Sequence, residues 1–175
     1  MKKWMFVIPL LVAVVVGCGK NREIVIVPDL SGPEIVNWVD ERLGLTKTRE
    51  HIQSSLIAWN FLQGERGKKF EVQIWYPGWP VPSDEVRAHF RKNGGFVGNT
   101  AAFLAWIGEH DPDGYWTSIP EDERLRRDPE SGVLFAPDFF KTKKGRGIGL
   151  ISIEGNVDDH CWDARWWFVA FREIP

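Results

Sequence analysis

The chain has 175 residues, of which 43% are hydrophobic, and it carries 22 Lys and Arg against 24 Asp and Glu. This is the composition of a globular protein, and it excludes a wholly disordered, collagen-like or coiled-coil chain. The formal net charge of −2 argues against a basic nucleic-acid-binding protein, so we expect no nucleic-acid partner. The chain is rich in aromatic residues, with ten Trp and eleven Phe.

The first 18 residues, MKKWMFVIPLLVAVVVGC, have the layout of an export signal. Two lysines precede an apolar run over residues 5–16. As a helix this run would rise about 18 Å, which is short of the roughly 30 Å hydrocarbon core of a bilayer. An apolar run of this length after positive charge is typical of a secretory signal peptide. It ends on Val15, Val16, Gly17 and Cys18, and this ending resembles the lipobox of bacterial lipoproteins.

The resemblance implies that Cys18 takes a diacylglyceryl group, that the chain is cut just before it, and that the new amine is acylated. Gly19 stands where Asp would signal inner-membrane retention in many Gram-negative species, which favours the periplasmic face of the outer membrane. Two alternatives are an ordinary cleaved signal peptide, since Val15 and Gly17 also fit its small-residue rule, and an uncleaved anchor. We favour lipidation because a Cys directly follows a short apolar run and a small residue.

The sequence therefore divides into a signal peptide (1–17), a lipidated Cys with a short tether (18–22) and one globular domain (23–175). Removing residues 1–17 takes away Lys2 and Lys3 and leaves 20 basic against 24 acidic residues, a formal charge of −4, with nine Trp. Cys161 is then the one free thiol of the sequence and cannot form an intramolecular disulfide. We expect it to be buried, as free cysteines commonly are.

Apolar periodicity and turn residues predict the elements of the domain in chain order. The first half has a buried strand over 23–27, a helix over 33–43 ended by Gly44, a helix over 48–54, and strands over 56–62 and 70–76. Two helices follow, one over 83–92 and one from the Asn99 cap to about 109. A loop over 110–130 then leads to strands over 133–135, 148–153 and 165–172. One helix over 46–63 is the alternative for residues 55–62. This pattern predicts an α+β domain, with a mainly antiparallel sheet and about three helices packed on one face.

Metal and catalytic motifs are weak. The four His have no paired metal spacing, so we expect no cofactor and no metal. The run Asp111-Pro112-Asp113-Gly114 is similar to a calcium loop, but its Gly falls too early, and we interpret it as a turn. The acidic run over 156–160 is the better metal candidate, although its Asp and Asn are also typical of a turn. Thiol catalysis by Cys161 with His110 or His160 as base is conceivable, but nothing in the sequence defines its geometry.

The tryptophans are more informative. Trp38, Trp59 and Trp106 lie on predicted core faces. Trp75 instead falls on the strand face opposite Phe70, Val72 and Ile74, in register with Glu71 and Gln73, while Trp79 and Trp116 lie in loops. The predicted binding surface consists of Trp75, Trp79, Trp116, Glu71 and Gln73. The structural alternative is that these loops fold down and cap the sheet.

We therefore expect a lipid-tethered, non-catalytic domain that binds an envelope partner protein through exposed aromatic side chains, because Trp supplies buried anchors at interfaces. The alternative is a cell-wall or glycan-directed binding module or hydrolase, because sugar rings stack on indole faces beside carboxylates and amides. An open cleft lined by Trp75, Trp79 and Trp116 would favour the glycan, and a flat patch would favour the partner protein. Burial of all three tryptophans would remove the basis of both binding hypotheses.

Overall fold

The computed structural model describes residues 23–45, 47–48, 65–121, 126–127, 134–153 and 161–175. Several predicted features lie outside these residues: the signal peptide, Cys18 and its tether, the helix over 48–54, the strand over 56–62, Trp59, and the acidic run with His160. Among the described residues, no helix has the length and hydropathy needed to cross a bilayer.

The described residues form a mixed, mostly antiparallel sheet of eight strands in the order β1-β3-β10-β5-β7-β8-β2, with β6 beside β7. Six longer strands carry it: β1 (Ile24–Ile26), β3 (Lys69–Trp75), β5 (Gly114–Thr117), β7 (Leu134–Thr142), β8 (Gly145–Ser152) and β10 (Trp166–Ile174). The short strands are β2 (Lys47–Thr48) and β6 (Arg126–Arg127), and β4 (Val81–Pro82) pairs with β9 (Cys161–Trp162) in a second sheet. Only β10–β5 and β2–β8 are parallel among these pairs. The predicted α+β class is confirmed.

Three helices occur in the described ranges: α1 (Gly32–Leu43), α2 (Ser83–Lys92) and α3 (Thr100–His110). Their ends follow the predicted signals. Gly44 ends α1 in the left-handed conformation, at φ 58°, which costs glycine little because it has no Cβ. The Asn99 side chain accepts a hydrogen bond of 2.9 Å from the backbone N–H of Ala102 and so caps α3.

The helices cover both faces of the sheet, which differs from the predicted one-sided packing. In β10, Val169 and Phe171 belong to the core under α1 and α3, whereas Phe168 and Ala170 belong to a second core with Phe90 of α2. Successive strand residues point to opposite faces, so a continuous apolar run such as that of β10 is typical of a strand buried on both sides. Such a strand needs a helix on each face.

Two segments differ from their predictions. Among the described strands β1 lies at the edge of the sheet, and of its three residues Val25 (0% exposed) joins the core, whereas Ile24 (50%) and Ile26 (49%) on its other side are exposed. The predicted loop over 110–130 contains β5, which fills the space between β10 and β7. Local turn residues predicted a loop there, but the two neighbouring strands supply the hydrogen-bonding partners that make this segment extended.

Candidate binding surface

Trp116 is buried, so it does not belong to an exposed surface. Only 6% of the residue is exposed, and its indole Nε1 donates a 2.8 Å hydrogen bond to the Asp113 carbonyl oxygen. It lies between Trp106 and Trp167, with ring centroids 5.1 and 5.0 Å away. The reason is its place in β5, where its side chain points into the core under α1 and α3.

Trp75 lies on the predicted face of β3, but α2 covers that face. Trp75 is opposite Phe168 in the register of β3 and β10, and His89 of α2 stacks on its indole at 3.9 Å. Phe90 meets the same ring edge-on at 6.3 Å. Burial lowers the pKa of His89, with Glu85 opposing this shift and Lys92 adding to it. Trp75 is therefore a half-buried packing residue.

Glu71 and Gln73 share this face, as predicted, and both are withdrawn from solvent. Glu71 is 8% exposed and accepts a hydrogen bond from the Arg172 guanidinium. Arg172 also donates to the Gly94 carbonyl oxygen at 2.8 Å and lies 4.7 Å from the Phe96 ring centroid. Gln73 is half-buried. The Glu71 carboxylate therefore lies in an ion pair instead of facing an open surface.

Trp79 is the exposed tryptophan of the predicted set, with 55% of the residue accessible. It stands in the loop between β3 and β4, which is anchored on one side by buried Pro77 and on the other by Val81 (0% exposed). Gly78 takes a φ of 77°, and Pro77 and Pro80 restrict the backbone on either side. The two prolines therefore leave the backbone at Trp79 little conformational freedom.

Tyr76 lies beside this loop, and sequence reasoning missed it. Its alternation with Phe70 and Ile74 indicated a core position, but exposure along this face rises from Phe70 (4%) through Ile74 (38%) to Tyr76 (45%). The helices therefore leave the carboxyl end of β3 uncovered. No local signal predicted this, because the uncovered end depends on where α1 and α3 stop. We call Ile74, Tyr76 and Trp79 the aromatic surface.

A stack of aromatic rings supports Tyr76 from below. Its ring lies on Trp167 with centroids 4.4 Å apart and an interplanar angle of 19°. Trp167 in turn stacks on buried Trp116 at 5.0 Å and 22°. Offset stacking of this kind holds rings in place beyond the effect of simple burial. Tyr76 is therefore the exposed outer ring of a stack that extends through Trp167 to Trp116 in the core.

Charged side chains form a neutral polar cluster at the same end of the sheet. A Cβ on Gly114 would lie 3.9 Å from the Trp167 indole, and Gly114 pairs with Lys141. The Lys141 ammonium lies 2.8 Å from the Asp111 carboxylate and 3.3 Å from that of Asp113, and both raise the pKa of Lys141. Arg146 lies 2.9 Å from the Asp111 carboxylate, so two cations face two carboxylates. In the described ranges, no three His, Cys, Asp or Glu side chains are grouped to hold a metal ion.

A pocket of about 190 Å³ lies elsewhere, beside the second sheet. It is lined by Ser83, Ile151, Ser152, Ile153, Cys161, Trp162, Asp163 and Trp166. Cys161 is exposed, so the prediction of its burial is wrong: in β9 the neighbouring Trp162 turns inward and Cys161 turns outward. Arg165 pairs with the Asp163 carboxylate at 2.6 Å and lowers its pKa. Cys161 and Asp163 are the ionisable side chains among these lining residues, and the Asp163 carboxylate is paired with Arg165.

Neither protein-family models, nor curated proteins, nor solved structures gave a significant match to the chain.

Proposed function

We propose that this protein is an exported, lipid-anchored domain without catalytic activity, which binds a partner protein of the cell envelope through the aromatic surface. The observation that carries the proposal is the exposure of Trp79 (55%), in a proline-restricted loop, and of Tyr76 (45%), stacked on Trp167. Cys18 supplies the anchor by its resemblance to a lipobox, and more than one acyl chain makes such an anchor stable.

Rigidity is the reason that these exposed rings favour binding. An interface residue that is already ordered loses little entropy when it is buried by a partner. Trp and Tyr are enriched among the residues that dominate binding energy, in apolar centres with a polar rim. Tyr76 stacks on Trp167, and Pro77 and Pro80 restrict the backbone at Trp79. The Asp111–Lys141 pair provides charged groups at the same end of the sheet.

The glycan alternative has less support from the described residues. A sugar ring needs an open indole face, but Trp162 (7% exposed) and Trp166 (8%) in the pocket are buried. They also meet each other edge-on, with centroids 4.9 Å apart and an angle of 75°. A carboxylate ready to accept hydroxyl hydrogen bonds is also missing there, since Asp163 is paired with Arg165.

Photo-crosslinking in living cells tests the proposed surface. A photoreactive phenylalanine replaces Trp79 in one strain and Asn37, an exposed residue of α1, in the control strain. We expect a discrete protein adduct from position 79, which is absent from position 37 and is lost when Tyr76→Ala is added. Absence of the adduct, together with co-sedimentation of the protein with purified peptidoglycan that depends on Trp79, would favour the glycan instead.

The anchor has its own test. Mass measurement of the amino-terminal peptide from cells should find acylated Cys18, and a Cys18→Ala variant should leave the membrane fraction. An unmodified cysteine in the mature wild-type protein would contradict the localisation.

A further inference from the structure

The edge strand β1 carries two exposed isoleucines on one side. Ile24 and Ile26 are separated by one residue, so they point to the same face, and each is about half exposed at 50% and 49%. Lys69 lies directly opposite Ile26 in β3 and is also exposed. We call Ile24, Ile26 and Lys69 the β1 patch.

The β1 patch stands very close in sequence to the anchor. From Cys18 to Ile24 the chain advances six residues, and even a fully extended chain spans at most about 20 Å over that length. The intervening residues include Lys20 and Arg22. Once Cys18 is held in the bilayer, the edge at β1 therefore stays within about 20 Å of the membrane surface.

We propose that the β1 patch contacts the phospholipid surface and orients the domain on it; this inference rests on the lipidation of Cys18 in the proposed function. Aliphatic side chains at the headgroup boundary leave water for an apolar environment. The Lys69 stem can lie along the isoleucines with its ammonium among lipid phosphates. The short tether favours the bilayer as the occupant, because the membrane is the surface that lipidation of Cys18 keeps close to β1.

This orientation leaves the aromatic surface free. Ile26 lies opposite Lys69 at the start of β3, whereas Ile74 and Tyr76 lie at its other end and on its other face. Tyr76 is seven residues beyond Lys69, which amounts to about 23 Å along a strand. A domain that rests on β1 therefore presents Tyr76 and Trp79 away from the lipid, where a partner protein can reach them.

Spin labels on the lipidated full-length chain test the contact. In a Cys161→Ser background, one variant carries the label at Ile26→Cys and a matched control carries it at Ile74→Cys, an exposed isoleucine at the far end of β3. Both proteins are reconstituted in vesicles of phosphatidylethanolamine and phosphatidylglycerol. We expect collisions with a charged nickel chelate to be about tenfold fewer at position 26 than at position 74, because charged solutes do not enter the apolar boundary. Collisions with oxygen should rise at position 26.

Mass measurement on the same samples separates the possible failures. Acylated protein with equal chelate access at both positions would overturn the contact and leave the anchor intact. Protein without acyl chains would overturn the anchor itself. Protection at position 26 that is also found in detergent without vesicles, with the mass of a dimer, would assign the β1 patch to a second copy of the chain and overturn the lipid contact.

Discussion

The imidazole of His89 lies flat on the indole of Trp75, with ring centroids 3.9 Å apart and an angle of 4° between the planes. This stack closes the face of β3 on which a tryptophan surface was predicted. It joins α2 to the sheet through an imidazole whose pKa is lowered by burial.

His89 should make the stability of the fold depend on pH. Burial lowers its pKa in the folded protein from the ordinary 6.5. As pH falls below 6.5, the unfolded chain takes up the proton first, so the free energy of unfolding decreases until the folded pKa is passed. His89→Phe keeps a flat ring and removes the titration. Urea unfolding across this interval should therefore show a smaller decrease for the variant than for wild type, and parallel curves would contradict the assignment.

Trp79 and Trp116 should separate binding from folding. Trp79→Ala removes an exposed ring and should change the free energy of unfolding by less than about 0.5 kcal/mol, while partner capture is lost. Trp116→Ala creates a cavity in the core and should cost about 3–5 kcal/mol. Denaturant titration of both variants checks this. A large stability loss at Trp79 would mean that the loop is part of the core and that its loss of binding has a structural cause.

Tyr76 and Trp167 should be energetically coupled. Stacked aromatic pairs contribute about 1 kcal/mol beyond burial. A double-mutant cycle with Tyr76→Ala and Trp167→Ala, read by urea unfolding, should return a coupling of that size. Additive effects would show that Tyr76 stands free of its support, and the argument from rigidity would then fail for this residue.

Gly98 should not tolerate a methyl group. An added Cβ would lie 2.2 Å from the backbone carbonyl group of Ile119, which cannot move without shifting the chain. Gly98→Ala should therefore destabilise the fold by about 3 kcal/mol. Gly108→Ala is the matched comparison, since its added Cβ would meet only the Trp38 indole, at 2.3 Å. A half-buried ring can rotate away, so we expect a smaller decrease in the melting temperature for Gly108→Ala.

Cys161 should react with a maleimide in the native protein. The thiol is exposed at the edge of β9, so labelling should be complete without denaturant and absent in Cys161→Ser. If labelling requires denaturant, the thiol is buried, as the sequence pattern had predicted.

Local patterns in the sequence were sufficient for the helices. The Gly44 and Asn99 signals predicted where α1 ends and where α3 begins, because capping involves residues only a few positions apart. The face of Trp75 in β3 was also predictable from alternation alone. The binding surface was not predictable in this way, because the exposure of a residue depends on which other elements cover it. His89 comes from another element to cover Trp75, and β10 and β7 enclose Trp116.

The same distinction applies to the two ends of the molecule. The proposed export signal and the proposed lipidation of Cys18 rest on a linear motif, whose residues are neighbours in the sequence. The exposure of Ile24, Ile26 and Tyr76 could not be predicted from the sequence. Each lies on a predicted strand whose apolar residues look equally suited to the core. Their exposure depends on β1 being an edge strand and on where the helices stop along β3, and residues distant in sequence set both.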